Sequence, residues 1–207
     1  MERKNNYLIQ AQQAKARFLT YDQEKLIRKF GLQADDAFLY VNLLCQQYRI
    51  SRSTGHMEKR TAQLWQDGNT YEEVMTLLDL LCDSRDDRSL ARQWQNMQSF
   101  GLQFHQNLLE EARDPFAAQI DADPGLLHRA AAALGAETVR GGDYGYAFEL
   151  FDGLKIALLF WHGDEEFLPR VRYLWDANAK QYIRYETMYF AVTLLRRRIR
   201  EAGASLI

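Results

Sequence analysis

The chain has 207 residues, of which 47% are hydrophobic and 26% are charged, and this composition is typical of a globular protein with a sizeable core. Its 26 Lys and Arg residues are balanced by 28 Asp and Glu residues, so the sequence lacks the basic excess of a nucleic-acid-binding protein. The sequence has no run of 18 apolar residues to span a membrane, and its charged N-terminus has no apolar signal-peptide core. We therefore expect a soluble cytoplasmic protein that binds neither nucleic acid nor membrane.

The first half of the chain shows helical patterns interrupted by a strand pair. An apolar stripe predicts a first helix, and a second is predicted to begin at a Thr20–Gln23 capping box and to end at Gly31. Alternating apolar and polar residues predict two strands between about 37 and 52. A Thr70–Glu73 capping box then begins a helix whose apolar residues recur at helical spacing.

The two cysteines, Cys45 and Cys82, each follow an apolar run, and we expect both thiols to be buried and inert. Two isolated thiols cannot hold an iron–sulfur cluster, and the sequence has no CxxC pair that would suggest zinc. We therefore expect no iron–sulfur cluster in this chain, and the composition identifies no other cofactor.

The middle of the chain gives weaker patterns. Residues 94–112 show a helical pattern only in their second half. His105 lies in this half, and we interpret it as a structural histidine in preference to a ligand. Asp123-Pro124 predicts the start of a short helix that ends at Gly135. The sequence contains no internal repeat or low-complexity linker, so we expect a single domain over 1–207. Two lobes, 1–113 and 124–207, are the alternative.

A β-hairpin from about 144 to 161 is the clearest pattern in the second half. In its first strand, large apolar residues alternate with small or charged ones, as expected of a strand. Asp152-Gly153 is a favoured pair for a type I′ turn. The second strand is almost continuously apolar, as in a central strand. A two-residue turn predicts three cross-strand pairs, namely Phe151 with Leu154, Glu149 with Ile156 and Ala147 with Leu158.

A third strand, Val171 to Trp175, and a long helix capped by Asp176 or Asn178 follow the hairpin. Together the elements predict an α+β fold. We expect a helical N-terminal half packed with an antiparallel or mixed sheet, in which the hairpin at about 144–161 is central. The long C-terminal helix closes this sheet.

The loop between the second and third of these strands holds the densest polar cluster of the chain. His162, Asp164, Glu165 and Glu166 are candidate metal ligands, because carboxylate oxygens suit Mg²⁺, Mn²⁺ or Ca²⁺. The alternative interpretation is a solvated loop whose Glu side chains pair with Arg170, Arg172 or the N-terminus of a helix. The flanking aromatic residues are candidate ligand-binding residues: Trp161, Tyr173 and Trp175.

The last third of the chain carries a recognisable set of motifs. They are Gly142-Asp143, Trp161, Asp164-Glu165-Glu166-Phe167, Leu174-Trp175-Asp176, Tyr182 and Glu186. This pattern, strongest over 142–186, resembles an uncharacterised prokaryotic family, domain of unknown function family 3786. The resemblance implies a cytoplasmic protein of an anaerobe and a link to redox or corrinoid one-carbon metabolism, because some members carry an added iron–sulfur domain. This chain lacks the cluster cysteines, and its Pro169 comes one residue later than in the family pattern.

Two functions are compatible with these residues. The first is a non-catalytic accessory or binding module that docks onto a protein partner or holds a small ligand against the aromatic residues. The sequence motivates it because it lacks a recognised nucleophile–base pair and a phosphate-binding glycine loop. The alternative is a divalent-metal-dependent enzyme that uses the acidic loop after Trp161. A homodimer built through the final helix is a further hypothesis.

Overall fold

The structure is a computed structural model that describes residues 2–101 and 114–204, with side chains from Asn6 onward. The chain divides into two compact units, Met1–Ser89 with Gln181–Ala191, and Leu90–Lys180 with Val192–Ile207. Each unit has an antiparallel sheet and helices of its own, so the predicted α+β class is confirmed. A single domain, with lobes 1–113 and 124–207 as the alternative, stays a prediction, because a compact unit need not fold independently.

The first unit combines helices with a five-stranded meander. Its helices are α1 (Glu2–Phe18), α2 (Gln23–Phe30) and α3 (Tyr71–Asp83). Its strands pair in chain order and all antiparallel: β1 (Gln33–Ala34), β2 (Phe38–Leu43), β3 (Gln46–Ser51), β4 (Met57–Thr61) and β5 (Leu64–Gln66). The strand pair predicted between 37 and 52 is confirmed as β2 and β3. The short, polar β4 and β5 have no alternating apolar pattern that would predict them.

The helix starts of the first unit show one correct and one wrong prediction. At α3, Thr70 accepts a hydrogen bond from the Glu73 amide, and the Glu73 carboxylate accepts one from the Thr70 amide at 2.6 Å, so the capping box is confirmed. At α2 the predicted cap is wrong. Asp22 is the N-cap and accepts from the Lys25 amide at 3.0 Å, whereas the Thr20 hydroxyl donates to the carbonyl of Arg17.

The two cysteines differ in exposure. Cys82 is buried in α3, as predicted, but the prediction for Cys45 is wrong because that residue is exposed. Leu44 and Cys45 both have positive φ, 47° and 58°, and form the two-residue turn between β2 and β3. An apolar run can therefore end in a hairpin turn, where its last residue faces solvent.

The second unit is built on a sheet with the order β6-β10-β9-β8-β7, in which every pair is antiparallel. The predicted hairpin supplies its central pair, β8 and β9, and β9 is buried on both faces as expected. The elements of this unit are β6 (Trp94–Asn96), α4 (Pro115–Ala122), α5 (Pro124–Ala133), β7 (Glu137–Thr138), β8 (Tyr144–Phe151), β9 (Leu154–Trp161) and β10 (Arg170–Asp176).

The final helix, α6 (Tyr185–Ala204), is the long C-terminal helix of the prediction, and its residues are divided between the two units at 191. The predicted cap by Asp176 or Asn178 is wrong, because a short 3₁₀ turn, Ala179–Gln181, comes before it. The helical pattern predicted in the second half of 94–112, with His105, lies outside the described residues. No helix of the described residues is long and apolar enough to cross a membrane.

The register of the central hairpin differs from the prediction. Asp152 and Gly153 both have positive φ, as a type I′ turn requires, and Phe151 lies opposite Leu154 as predicted. Beyond that pair, however, Glu149 lies opposite Lys155 and Ala147 opposite Ala157, because Leu150 is the extra residue of a β-bulge. The predicted pairs of Glu149 with Ile156 and Ala147 with Leu158 are therefore wrong by one residue. The bulge lets Leu150 and Phe151 both be buried while Glu149 stays exposed.

Candidate functional site

The end of β9 places two consecutive candidate residues on opposite faces of the sheet. Side chains alternate along a strand, so Trp161 and His162 point in opposite directions. We call the face that carries Phe160 and His162 the helix face, because its side chains contact α4 and α5. The face that carries Trp161 is the arginine face, since Arg170 lies opposite Trp161 in the β9–β10 register.

On the helix face, His162 is held by a carboxylate that sequence reasoning missed. Asp121, in the last turn of α4, lies 2.8 Å from His162 Nδ1, and the same Oδ1 accepts from the Gly163 amide at 3.3 Å. An ionised carboxylate only accepts hydrogen bonds, so Nδ1 carries the proton and Nε2 offers its lone pair. Nε2 has no hydrogen-bond partner among the described residues, and 37% of the His162 side chain is exposed.

The backbone of His162 is fixed by the Gly142-Asp143 motif. Asp143 accepts from the His162 amide through Oδ2 at 2.7 Å, while its own amide donates to the carbonyl of Phe160 at 2.8 Å. Gly142 makes this approach possible, because a Cβ at that position would lie 2.3 Å from the Phe160 oxygen. The motif therefore has a structural role that its position, about twenty residues before His162, does not reveal.

Aromatic rings surround His162 on the helix face. The Tyr144 ring stands edge-on to His162 with centroids 5.4 Å apart, and edge-on to His128 of α5 at 4.5 Å. His128 in turn pairs through Nδ1 with the Tyr146 hydroxyl at 2.7 Å. The Tyr144 hydroxyl has no hydrogen-bond partner among the described residues. Two imidazoles and two phenols thus share a partly exposed patch.

The acidic loop after His162 is organised as a turn. Asp164 Oδ1 accepts from the amides of Glu166 and Phe167 at 2.8 and 2.7 Å, so this carboxylate caps its own loop. Glu165 and Glu166 are exposed and have no partner among the described residues. The loop does not direct the three carboxylates toward one point.

The candidate metal ligands His162, Asp164, Glu165 and Glu166 are accordingly not gathered into one ligand set. Within residues 2–101 and 114–204, no three His, Cys, Asp or Glu side chains are placed to hold a metal ion. The nearest acidic partner of His162 is Asp121, which comes from a helix and not from the loop. Metal binding by this loop stays a prediction.

On the arginine face, two guanidinium groups lie against Trp161. The Cζ of Arg170 is 4.8 Å from the ring centroid and that of Arg172 is 5.6 Å away. Neither arginine has a carboxylate partner among the described residues. The Nε of Arg172 is buried without a hydrogen-bond partner, which is a costly state for a charged group. Trp161 itself is half-buried.

The other two candidate aromatic residues are part of the core and are not gathered with Trp161. Tyr173 and Trp175 are paired with Leu158 and Ile156, which places them on the helix face, and Trp175 is fully buried. Burial raises the pKa of Tyr173, whose hydroxyl accepts a hydrogen bond from Arg196 Nε at 2.7 Å. Odd-numbered residues of β10 therefore face away from Trp161, and the structure brings the even-numbered arginines to it instead.

Comparison with protein families finds a match over most of the chain. A family model described as a domain of unknown function (DUF3786) matches residues 22–198, which is most of the chain. The chain belongs to the DUF3786 family. No curated protein and no solved structure matches it. The resemblance noted over 142–186 thus extends over both units, and the family name assigns no activity to either.

Within this DUF3786 chain, the residues missed by sequence reasoning are those that come from distant segments. Asp121 lies 41 positions before His162, and His128 lies 18 positions before Tyr146. Each is an ordinary polar residue on a short helix, without a motif around it. No local pattern linked either of them to the candidate residues Trp161 and His162.

Proposed function

We propose that this chain is a binding module that holds an anionic ligand, bearing a carboxylate or phosphate group, against Trp161. The observation that carries the proposal is the pair of guanidinium groups on the Trp161 ring without a carboxylate among the described residues. Arginine forks bind carboxylate and phosphate through paired hydrogen bonds.

The ring of Trp161 contributes a second element of recognition. A half-buried indole with cations beside it provides a flat apolar surface on which a planar part of a ligand can stack. The family resemblance suggests anionic metabolites of anaerobic redox or corrinoid one-carbon metabolism as the first ligands to screen.

The test is a thermal-shift and tryptophan-fluorescence screen with carboxylates and phosphates at fixed ionic strength. We expect at least one anion to raise the melting temperature of the wild type, and Arg172→Gln to abolish that shift. Arg140→Gln, which removes the same charge from an exposed residue without a partner in the described part of the chain, is the matched control. An anion whose effect is equal in all three proteins would contradict the proposal.

The Asp121–His162 pair favours a second candidate function, acid–base catalysis at His162. The carboxylate fixes one tautomer and leaves Nε2 directed outward, which is the arrangement of a general base. Carbethoxylation by diethyl pyrocarbonate measures the nucleophilicity of this nitrogen. We expect His162 to react faster than the half-buried His56, whose Nε2 lies 3.5 Å from Asp67 Oδ2, and we expect Asp121→Asn to slow the reaction of His162. Equal rates for His162 in wild type and variant would remove the basis for this role.

A further inference from the structure

A basic cleft of the first unit has no part in the site described above. The cleft has a volume of about 350 Å³ and is lined by Lys25, Arg28 and Lys29 of α2 and by Asp86 and Arg88 of the segment after α3. Four positive charges therefore meet one negative charge, which leaves a net formal charge of +3 in the cleft.

The single carboxylate of the cleft is shared by two lysines. Asp86 Oδ2 lies 2.5 Å from Lys25 Nζ, and Oδ1 lies 3.1 Å from Lys29 Nζ. The hydrogen bond from Lys25, followed by that from Lys29, lowers the pKa of Asp86. The Lys29 side chain is only 10% exposed and also donates to the carbonyl of Ser84, so its ammonium group is held in place.

Two arginines bring guanidinium groups to the same cleft. Arg88 packs over the Phe30 ring with its Cζ 4.5 Å from the centroid, and it donates to the carbonyl of Lys29 at 3.3 Å. Arg28 has no ion-pair or hydrogen-bond partner among the described residues. Cations in the last turn of α2 also complement its helix dipole, but that effect does not explain Arg88, which comes from a different segment.

We propose that this cleft binds a phosphoryl group, which displaces Asp86 from its two lysines. A phosphate monoester is a dianion with three acceptor oxygens, so it matches a cleft whose positive charge exceeds what one carboxylate neutralises. The planar guanidinium groups supply paired donors, and the lysines supply point charges. Asp86 lies between the two lysines and competes there with any other anion.

Titration calorimetry at constant ionic strength tests this site with inorganic phosphate and a nucleoside monophosphate as probes. We expect Arg28→Gln and Lys25→Gln each to weaken binding about tenfold, since each removes one charge-assisted donor. We expect Asp86→Asn to strengthen binding several-fold, because it removes the competing carboxylate. Arg140→Gln is the charge-matched control and should bind as the wild type does. Arg172→Gln removes phosphate binding at the other site, so it isolates the binding event in this cleft, which it should leave unchanged.

The two probes distinguish the source of the phosphoryl group. Tighter binding of the nucleotide indicates a phosphate ester with further contacts in the cleft, whereas equal binding indicates the phosphoryl group alone. Because Arg28 has no partner in the described part of the chain, its substitution should leave the melting temperature unchanged. The proposal is overturned if neither probe binds more tightly than chloride. Asp86→Asn that weakens binding, or Arg140→Gln that weakens it as much as Arg28→Gln does, also overturns it.

Discussion

Gly142 and Phe160 approach each other so closely that a Cβ on Gly142 would lie 2.3 Å from the Phe160 carbonyl oxygen. Gly142 also has a φ of +66°, a backbone conformation that residues other than glycine rarely adopt. Both constraints act on the residue before Asp143, whose carboxylate holds the His162 amide. The glycine therefore controls how closely the loop that carries Asp143 can approach the end of β9.

Gly142→Ala should lower the free energy of unfolding by about 3 kcal/mol, because left-handed strain adds to a steric clash with backbone. Gly135→Ala is the matched control, since Gly135 has a φ of +60° with nothing within 4 Å of an added Cβ. That control should cost about 1–2 kcal/mol, the strain of the left-handed conformation alone. Urea denaturation measures both values, and equal losses would show that the predicted clash does not occur.

Asp176 is a buried carboxylate whose role is structural. Its oxygens accept from the amides of Ala91 and Arg92 at 2.9 and 2.7 Å and from that of Asn178 at 2.8 Å. Asp176→Ala leaves these part-buried donors without their acceptor, so we expect a loss of about 3 kcal/mol in unfolding free energy. Asp176→Asn should lose less, because its amide oxygen still accepts. Asp87→Ala, at an exposed ion pair with Arg85, is the control and should change stability by less than about 0.5 kcal/mol.

The two thiols should differ in reactivity. Cys45 is exposed in a turn, whereas Cys82 is 7% exposed, and burial raises the pKa of the Cys82 thiol to about 12. Since the thiolate is the reactive form, Ellman's reagent at pH 8 should titrate one thiol in the native protein and two in denaturant. The native Cys45→Ser variant should give none. Two rapidly reacting thiols in the native wild type would contradict this burial.

Cys82 also contributes to alkaline unfolding. Its pKa is raised in the folded state from an ordinary 9.0 to about 12, so its stabilising contribution is complete below pH 9 and is lost as the pH rises toward 12. In that range the unfolded thiol releases a proton that the native thiol keeps, and the unfolding free energy falls by up to about 1.4 kcal/mol per pH unit. Cys82→Ala should show a shallower decline between pH 9 and 10.5 in urea titrations. Identical slopes would mean that the thiol ionises equally in both states.

We expect that divalent cations do not raise the melting temperature by binding the glutamates of the acidic loop. Asp164 Oδ1 already accepts hydrogen bonds from two backbone amides, and Glu165 is exposed without a partner in the described part of the chain. A thermal-shift series with Mg²⁺, Mn²⁺, Ca²⁺ and Zn²⁺ should therefore give the same result for wild type and Glu165→Gln. A cation that stabilises only the wild type would establish the loop as a metal site and support the enzyme hypothesis.

The features that sequence reasoning predicted correctly are those determined by neighbouring residues. The Thr70–Glu73 box spans four residues and the Asp152-Gly153 turn two, so their chemistry is complete within a short window. The bulge at Leu150 is different, because an extra strand residue leaves the apolar pattern almost unchanged while it shifts every pair beyond it. Local pattern alone cannot determine this register.

The candidate site was predicted less completely than the fold for a similar reason. The acidic loop stood out because its charges are consecutive, yet only Asp164 caps the turn, while Glu165 and Glu166 have no partner in the described part of the chain. The partner of His162 lies 41 positions away on α4, and strand parity separates Trp161 from Tyr173. Such pairings arise from tertiary packing, which no motif in this single sequence encodes.

The bulge at Leu150 has a consequence for how this family can vary in length. Removing Leu150 would join Glu149 directly to Phe151, and the pairs of Glu149 with Lys155 and of Tyr144 with Phe160 would all be kept in a regular hairpin. A deletion there would sacrifice one buried leucine, but it would not turn Trp161 or His162 to the wrong side of the sheet. Relatives that are one residue shorter at this position can therefore keep Trp161 and His162 on their present faces of the sheet. A deletion within β9 would instead move each of the two side chains to the opposite face.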